Sequence, residues 1–177
     1  MAKIKLPNVR LSFPSLFKTE VYNEEDTGKF TATFLLDKTT HAELIAKLEA
    51  AAKSALVEKY GDGKIPKGFK MPFVDGDDKD YDGYAGQVSI KAASKRRPVL
   101  YDRNKSPVVE SDGVFYAGCY VNAVVDFWVM DNKYGKKVLC NLMGVQFSKH
   151  GDPFGSDGDD CLDDFDIIED DGDDFQF

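Results

Sequence analysis

The stretch Cys119-Tyr120-Val121-Asn122-Ala123-Val124-Val125-Asp126-Phe127-Trp128-Val129-Met130 decides the fold. Its odd positions, Cys119, Val121, Ala123, Val125, Phe127 and Val129, are all apolar, whereas its even positions are Tyr120, Asn122, Val124, Asp126, Trp128 and Met130. A period of two is that of a β-strand, so the odd set faces a core and the even set faces outward. Tyr120 and Trp128, the single tryptophan of the chain, then share the outer face. Large aromatics there are either covered, by a helix or a second subunit, or left open to stack on nucleic-acid bases.

Working outward, Asp131-Asn132-Lys133-Tyr134-Gly135 reads as a hairpin turn into a second strand, Lys136 to Phe147. Strand character also marks Phe30 to Leu36, Gln87 to Ala92 and Pro98 to Tyr101. Lys3 to Phe17 mixes alternation with Pro7 and Pro14 and predicts an irregular or edge strand, because proline donates no ladder hydrogen bond. Lys18 to Lys29 predicts a loop. In one segment the period changes: Leu44, Ile45, Leu48, Ala51, Ala52, Ala55 and Leu56 recur at three and four. They predict one amphipathic helix, with Asp37, Thr39 and Thr40 as candidate caps and an end near Tyr60-Gly61. Asp62 to Gly86, rich in Gly, Pro and Asp, predicts a long excursion between elements. No strand-helix unit repeats in the way a parallel sheet requires. The expectation is a mainly β fold: a small β-barrel with one inserted α-helix.

Charge divides the chain. Asp152 to Phe177 hold twelve acidic side chains and no lysine or arginine, while Met1 to Gly151 hold 23 basic against 19 acidic residues. The overall charge of −8 therefore conceals a basic body. A body of residues 1–151 suits one domain. Residues 152–177 are too charged and too poor in aliphatic side chains to offset the entropy of ordering, and predict a disordered acidic tail that competes with a polyanion for the body. The start, Met1 to Pro7, lacks a signal-peptide core, and no apolar run is long enough for a bilayer. No membrane contact and a cytoplasmic location are expected. Cys119, Cys140 and Cys161 are odd in number and unclustered, and the first two predict buried thiols.

The densest basic stretch is Lys91-Ala92-Ala93-Ser94-Lys95-Arg96-Arg97-Pro98-Val99-Leu100-Tyr101-Asp102-Arg103. With Lys133-Tyr134-Gly135-Lys136-Lys137 it supplies cations for phosphates and aromatic faces for bases, the combination single-stranded nucleic acid needs. The candidate contacts are Lys91, Lys95, Arg96, Arg97, Tyr101, Arg103, Tyr120, Trp128, Tyr134, Lys136 and Lys137. Other chemistries fail on spacing. Asp78-Lys79-Asp80-Tyr81-Asp82-Gly83 opens like a calcium-binding EF-hand loop, but its twelfth position is Ser89 rather than glutamate. Gly61-Asp62-Gly63-Lys64-Ile65 lacks the spacing of a phosphate-binding loop. His41 and His150 have no nucleophile motif beside them. Asp102 and Asp126 could form an acidic metal-nuclease pair, yet nothing in their spacing selects them. No cofactor, metal or catalysis is expected.

Leu11-Ser12-Phe13-Pro14, Lys91 to Pro98, Tyr120-Val121-Asn122-Ala123 through Phe127-Trp128, Leu142 to Phe147 and Gly151-Asp152-Pro153-Phe154 resemble, in that order, bacteriophage single-stranded DNA-binding proteins with an oligonucleotide/oligosaccharide-binding (OB) fold. The resemblance implies a five-stranded barrel with extra loops and hairpins that coats single-stranded DNA in phage replication, recombination and repair, in the cytoplasm of an infected bacterium. The tail resembles the acidic C-termini of such proteins, which end in phenylalanine and recruit replication proteins: polymerase, helicase-primase or nuclease. By that likeness Asp173, Asp174, Phe175 and Phe177 are partner-binding, with Gln176 where the bacterial pattern has proline. Weak self-association stays open. The alternatives are an acidic DNA mimic that inhibits a host enzyme and a metal-dependent nuclease.

Overall fold

Alternating strands and one helical stretch give, in the computed structural model, β1 (Ile4–Ser15), β2 (Val21–Tyr22), β3 (Glu25–Asp26), β4 (Phe30–Asp37), α1 (Ala42–Tyr60), β5 (Phe73–Asp75), β6 (Gln87–Ser94), β7 (Val99–Tyr101), β8 (Tyr120–Asn132) and β9 (Gly135–Lys149). The structure describes residues 3–78, 84–133 and 135–151. Tyr134, residues 79–83 of the calcium-like loop, and the tail with Cys161, Asp173, Asp174, Phe175 and Phe177 lie outside the described residues.

Five strands close into a ring. β1 pairs antiparallel with β4 and with β8, β4 with β6, and β8 with β9; the ring shuts where β6 meets β9 in parallel, Ala92 opposite Cys140 and Ala93 opposite Asn141. Numbering only these five strands in chain order, the circuit runs 1-2-3-5-4, the five-stranded OB barrel. β5 pairs with the other half of β6, and β7 lies parallel on β9. The odd residues of β8 are buried from Val121 through Phe127, as its alternation predicts. α1 runs between the second and third ring strands and packs Leu48, Ala52, Ala55 and Leu56 into the same core as Phe34, Val125 and Phe127. Asp37 receives the backbone N–H groups of Thr39 and Thr40 ahead of the helix, and Gly61 ends it at φ 95°.

Three expectations are corrected. β1 is irregular, as one of the two readings had it, but central rather than an edge strand: its prolines fall at register shifts, between Leu6 and Val9 against β8 and between Ser12 and Ser15 against β4, where the ladder needs no donor. The stretch from Lys18 to Lys29 is not all loop, because β2 and β3 form a small hairpin. The excursion from Asp62 to Gly86 contributes β5. Cys119 and Cys140 are buried thiols without a disulfide, and burial pushes both up from the ordinary thiol range.

Candidate nucleic-acid interface

β4 and β6 are the second and third ring strands, and OB barrels present ligands to that face between the loops joining strands 1 to 2 and 4 to 5. Here those loops are the β2–β3 connection and the β8–β9 turn. Part of the face is closed. Tyr84 hydrogen-bonds Ser12 (2.8 Å) above β1, leaving Ser12 and Tyr84 buried. Further along, the face opens into a groove of about 720 Å³. Its lining includes Lys29 before β4; Lys91, Ala93, Lys95 and Arg96 of β6 and its turn; Met71 just before β5 and Val74 within it; and Trp128 and Leu139 of the hairpin. Every charged side chain of that lining is basic. Trp128 is 42% exposed, with Ala55, Glu58 and Lys59 of α1 along its other side, so the helix flanks the ring without covering it.

An acid stands next to this groove. Glu20, in the strand 1–2 connection, pairs with Lys91 at 3.1 Å and accepts a hydrogen bond from Thr31 at 3.2 Å. Lys91 is thus partly neutralised. Arg97 donates to the Phe17 carbonyl (2.8 Å) and lies 5.8 Å from the Phe30 ring, which clips the same connection to the barrel. At the hairpin, Lys137 stands opposite Met130 and Lys136 opposite Asp131, and residue Lys70 bridges to Lys137. The Tyr60 hydroxyl, hydrogen-bonded to Asp131 (2.6 Å), ties the helix end to this hairpin and is pushed up to about 12 by that bond.

The sequence candidates therefore separate. Lys91, Lys95, Arg96 and Trp128 share the groove, with Arg97 next in sequence; Lys136 and Lys137 follow the β8–β9 turn and are not among its lining residues. Tyr120 does not join them: it stands on the same face of β8 but eight residues away, about 27 Å along the strand. There its ring lies between Lys149 (4.8 Å) and Arg10 (5.6 Å). Tyr101 belongs to a second groove, of about 750 Å³, with Lys3, Lys5 and Lys105; Arg103 is in the exposed turn just before Lys105. Asp102 caps that turn by accepting from the N–H groups of Asn104 and Ser106. Its carbonyl bonds Gln146, opposite Asn122, which sets it about 13 Å along β8 from Asp126 and leaves no shared metal geometry between the two carboxylates.

Sequence reasoning missed Lys29, Met71 and Val74, which come to the groove from distant segments. It also missed Phe13, 54% exposed at the β1 bulge with φ 45°, a conformation unusual for a bulky side chain. Phe13 packs edge-on to Tyr84 and sits beside the row Ser12, Thr33, Lys91. The proline after it was the one signal of a special backbone.

The family of the Enterobacter phage Enc34 ssDNA-binding protein matches residues 2–176. A protein designated p50 from Acyrthosiphon pisum secondary endosymbiont phage 1 is 42% identical over 174 residues, 94% of each chain. Among solved structures, the single-stranded DNA-binding protein of bacteriophage Enc34 in complex with ssDNA superposes with a TM-score of 0.75 at 29% identity, covering 86% of this chain and 89% of that one. A second structure of the single-stranded DNA-binding protein of bacteriophage Enc34 gives 0.72 at 30% identity, covering 93% of this chain and 90% of that one. Gp2.5 of bacteriophage T7, at 13% identity and a TM-score of 0.55 over 90% of this chain and 98% of that one, shares the fold. The chain belongs to the phage Enc34 single-stranded DNA-binding protein family.

Proposed function

We propose that this chain binds and coats single-stranded DNA, largely independently of sequence, in the cytoplasm of an infected bacterium during phage replication, recombination and repair. The observation that carries this reading is the groove in which the single tryptophan lies among Lys29, Lys91, Lys95 and Arg96 with no acidic lining residue. Trp128 stacks on a base through the π-face common to all bases, and the cations neutralise phosphates and release counterions. Phe13 offers a second ring beside the row of Lys91. The role is binding rather than catalysis, with no cofactor.

The acidic residues 152–177 compete with DNA for the basic body through their charge, and the end Asp173-Asp174-Phe175-Gln176-Phe177 recruits replication proteins. Anisotropy titrations with single-stranded and duplex oligonucleotides, on the full chain and on a chain ending before Gly155, test the reading. The expected result is a preference for single strands that weakens with salt, and tighter binding after truncation, most at low salt. Equal affinity for duplex and single strands refutes the reading; weaker binding after truncation refutes the competition.

A further inference from the structure

Two surfaces of opposite charge stand apart on this barrel. One is the second groove, of about 750 Å³, on the outer face of β8 and β9. Its floor is apolar, formed by Val99, Val124 and Met143, and its charged lining residues are Lys3, Lys5 and Lys105. Among the described residues no acid pairs with any of these three lysines. Val99 reaches over β9 because residue 144 is glycine: a Cβ there would stand 2.6 Å from the Val99 Cγ2.

The other surface is the β2–β3 hairpin. Glu20 to Gly28 hold four acids, Glu20, Glu24, Glu25 and Asp26, and no lysine or arginine. Val21 stands opposite Asp26, and the two-residue turn Asn23-Glu24 has φ 51° and 66°. Positive φ at both turn positions matches the twist of paired strands, so the tip is preformed. Asp26 is used within the hairpin, accepting from the Thr19 hydroxyl and the Gly28 N–H (2.8 Å each). Val21, by contrast, is 65% exposed, and among the described residues no cation pairs with Glu24 or Glu25. Glu20 fastens the hairpin to its own side of the ring, through Lys91 on β6 and Thr31 on β4. The groove is on β8 and β9, and no residue from 20 to 28 lines it. A tip held in this way does not enter the groove of its own chain.

We propose that the second groove receives the β2–β3 hairpin of a second copy of this chain, with Val21 against the apolar floor and Glu24 and Glu25 among Lys3, Lys5 and Lys105. Charge complementarity argues for it: unpaired carboxylates meet unpaired ammonium groups, and an exposed valine meets an apolar slot. Rigidity argues for it too, because a preformed hairpin loses little freedom on docking. The contact is heterologous. A copy whose groove is filled still offers its own hairpin, so copies add head to tail in one orientation. Exposed ion pairs are individually weak, so free chains associate only when concentrated. Neighbours on one DNA strand face each other at an effective concentration on the order of millimolar, which favours a continuous row. That row rests on the DNA reading above, whereas the contact itself does not.

Two methionines make the test direct, because Met143 lines the second groove and Met71 the first. The full chain, labelled with methyl-¹³C methionine, is followed by NMR from micromolar to millimolar concentration without DNA. The Met143 methyl signal is expected to shift with concentration while the Met71 signal stays. Glu24→Lys/Glu25→Lys is expected to abolish the shift, as is Val21→Asp. Combining the reversed hairpin with Lys5→Glu/Lys105→Glu in one chain is expected to restore it, because the exchanged charges match again. A Met143 signal that never moves overturns the proposal, as does a shift that survives the reversed hairpin, which gives the groove to another segment. A difference between the parent chain and the reversed hairpin that persists at the lowest concentration also overturns it, in favour of a contact within one chain. On poly-dT the reversed hairpin is expected to lose affinity that it keeps for a short oligo-dT; an equal effect on both overturns the head-to-tail row. A Met71 signal that ignores the short oligo-dT sinks the DNA reading and leaves the contact standing.

Discussion

Glu20 pairs with Lys91 at the basic groove, and Glu20→Gln isolates what it does. The substitution removes a charge 3.1 Å from the Lys91 ammonium, while the new amide oxygen still accepts the Thr31 hydroxyl. At 3.1 Å, Coulomb's law gives about 1.3 kcal/mol in water and about 5 at an effective dielectric of 20. Lys91 is 56% exposed and Glu20 22%, so the pair belongs near the measured range of exposed ion pairs, about 0.5–1 kcal/mol. DNA must displace that pair to use Lys91. Glu20→Gln should therefore tighten single-stranded DNA binding about two- to fivefold. It should also steepen the dependence of log K on log salt by up to about 0.7, the increment of one neutralised phosphate on a single strand. Anisotropy titrations of a labelled oligo-dT between low and moderate salt read both quantities, with thermal unfolding as a control for the fold. A Lys91→Gln background completes the cycle, because the gain should shrink there when the carboxylate no longer has a partner to withhold. A gain of equal size with and without Lys91, or no gain at all, refutes the pairing argument.

Trp128→Ala should weaken DNA binding by about 1–3 kcal/mol, and DNA should quench the emission of the single tryptophan; Tyr120→Ala, at the far end of β8, should leave affinity unchanged. An emission that ignores DNA removes Trp128 from the interface. Gly76→Ala should cost about 1–3 kcal/mol in chemical denaturation, because its Cβ would run into the carbonyl oxygens of Tyr84 and, at 2.6 Å, Gln87; an unchanged midpoint refutes that packing. Hydrogen bonds from Lys38, 2.7 Å to each of Asp75 and Asp77, hold both carboxyls below the ordinary 3.8. The stabilisation from a lowered folded-state value is fully present above 3.8 and is lost as pH falls from there through the lowered value, so protection against hydrogen exchange in residues 73–78, corrected for the intrinsic rate, should drop in that acid window, and Lys38→Met should weaken the dependence. Exchange that rises equally in Lys38→Met assigns the opening elsewhere.

The sequence by itself determined what has a local period. The odd positions of β8 point inward because successive strand residues face opposite sides, and α1 forms where apolar residues recur at three and four, so both were legible without a partner. The basic body, the acidic end and the family resemblance were legible for the same reason, being written in composition and order. Only the tertiary structure decided which segments meet. The parallel closure of β6 on β9 at Ala92 and Ala93 leaves no local mark, since pairing across some fifty residues depends on the whole ring. The central place of β1 was masked by Pro7 and Pro14, whose missing donors are absorbed at bulges. Nearness in sequence did not decide which basic and aromatic residues share a groove: Lys91, Lys95 and Arg96 do, and their neighbours do not. Arg97 turns to the Phe17 carbonyl, Tyr101 falls on another groove, and Lys29 and Met71 arrive from far along the chain. Strand parity tells a side chain which face to take, but curvature and closure of the barrel decide which faces look at the same groove.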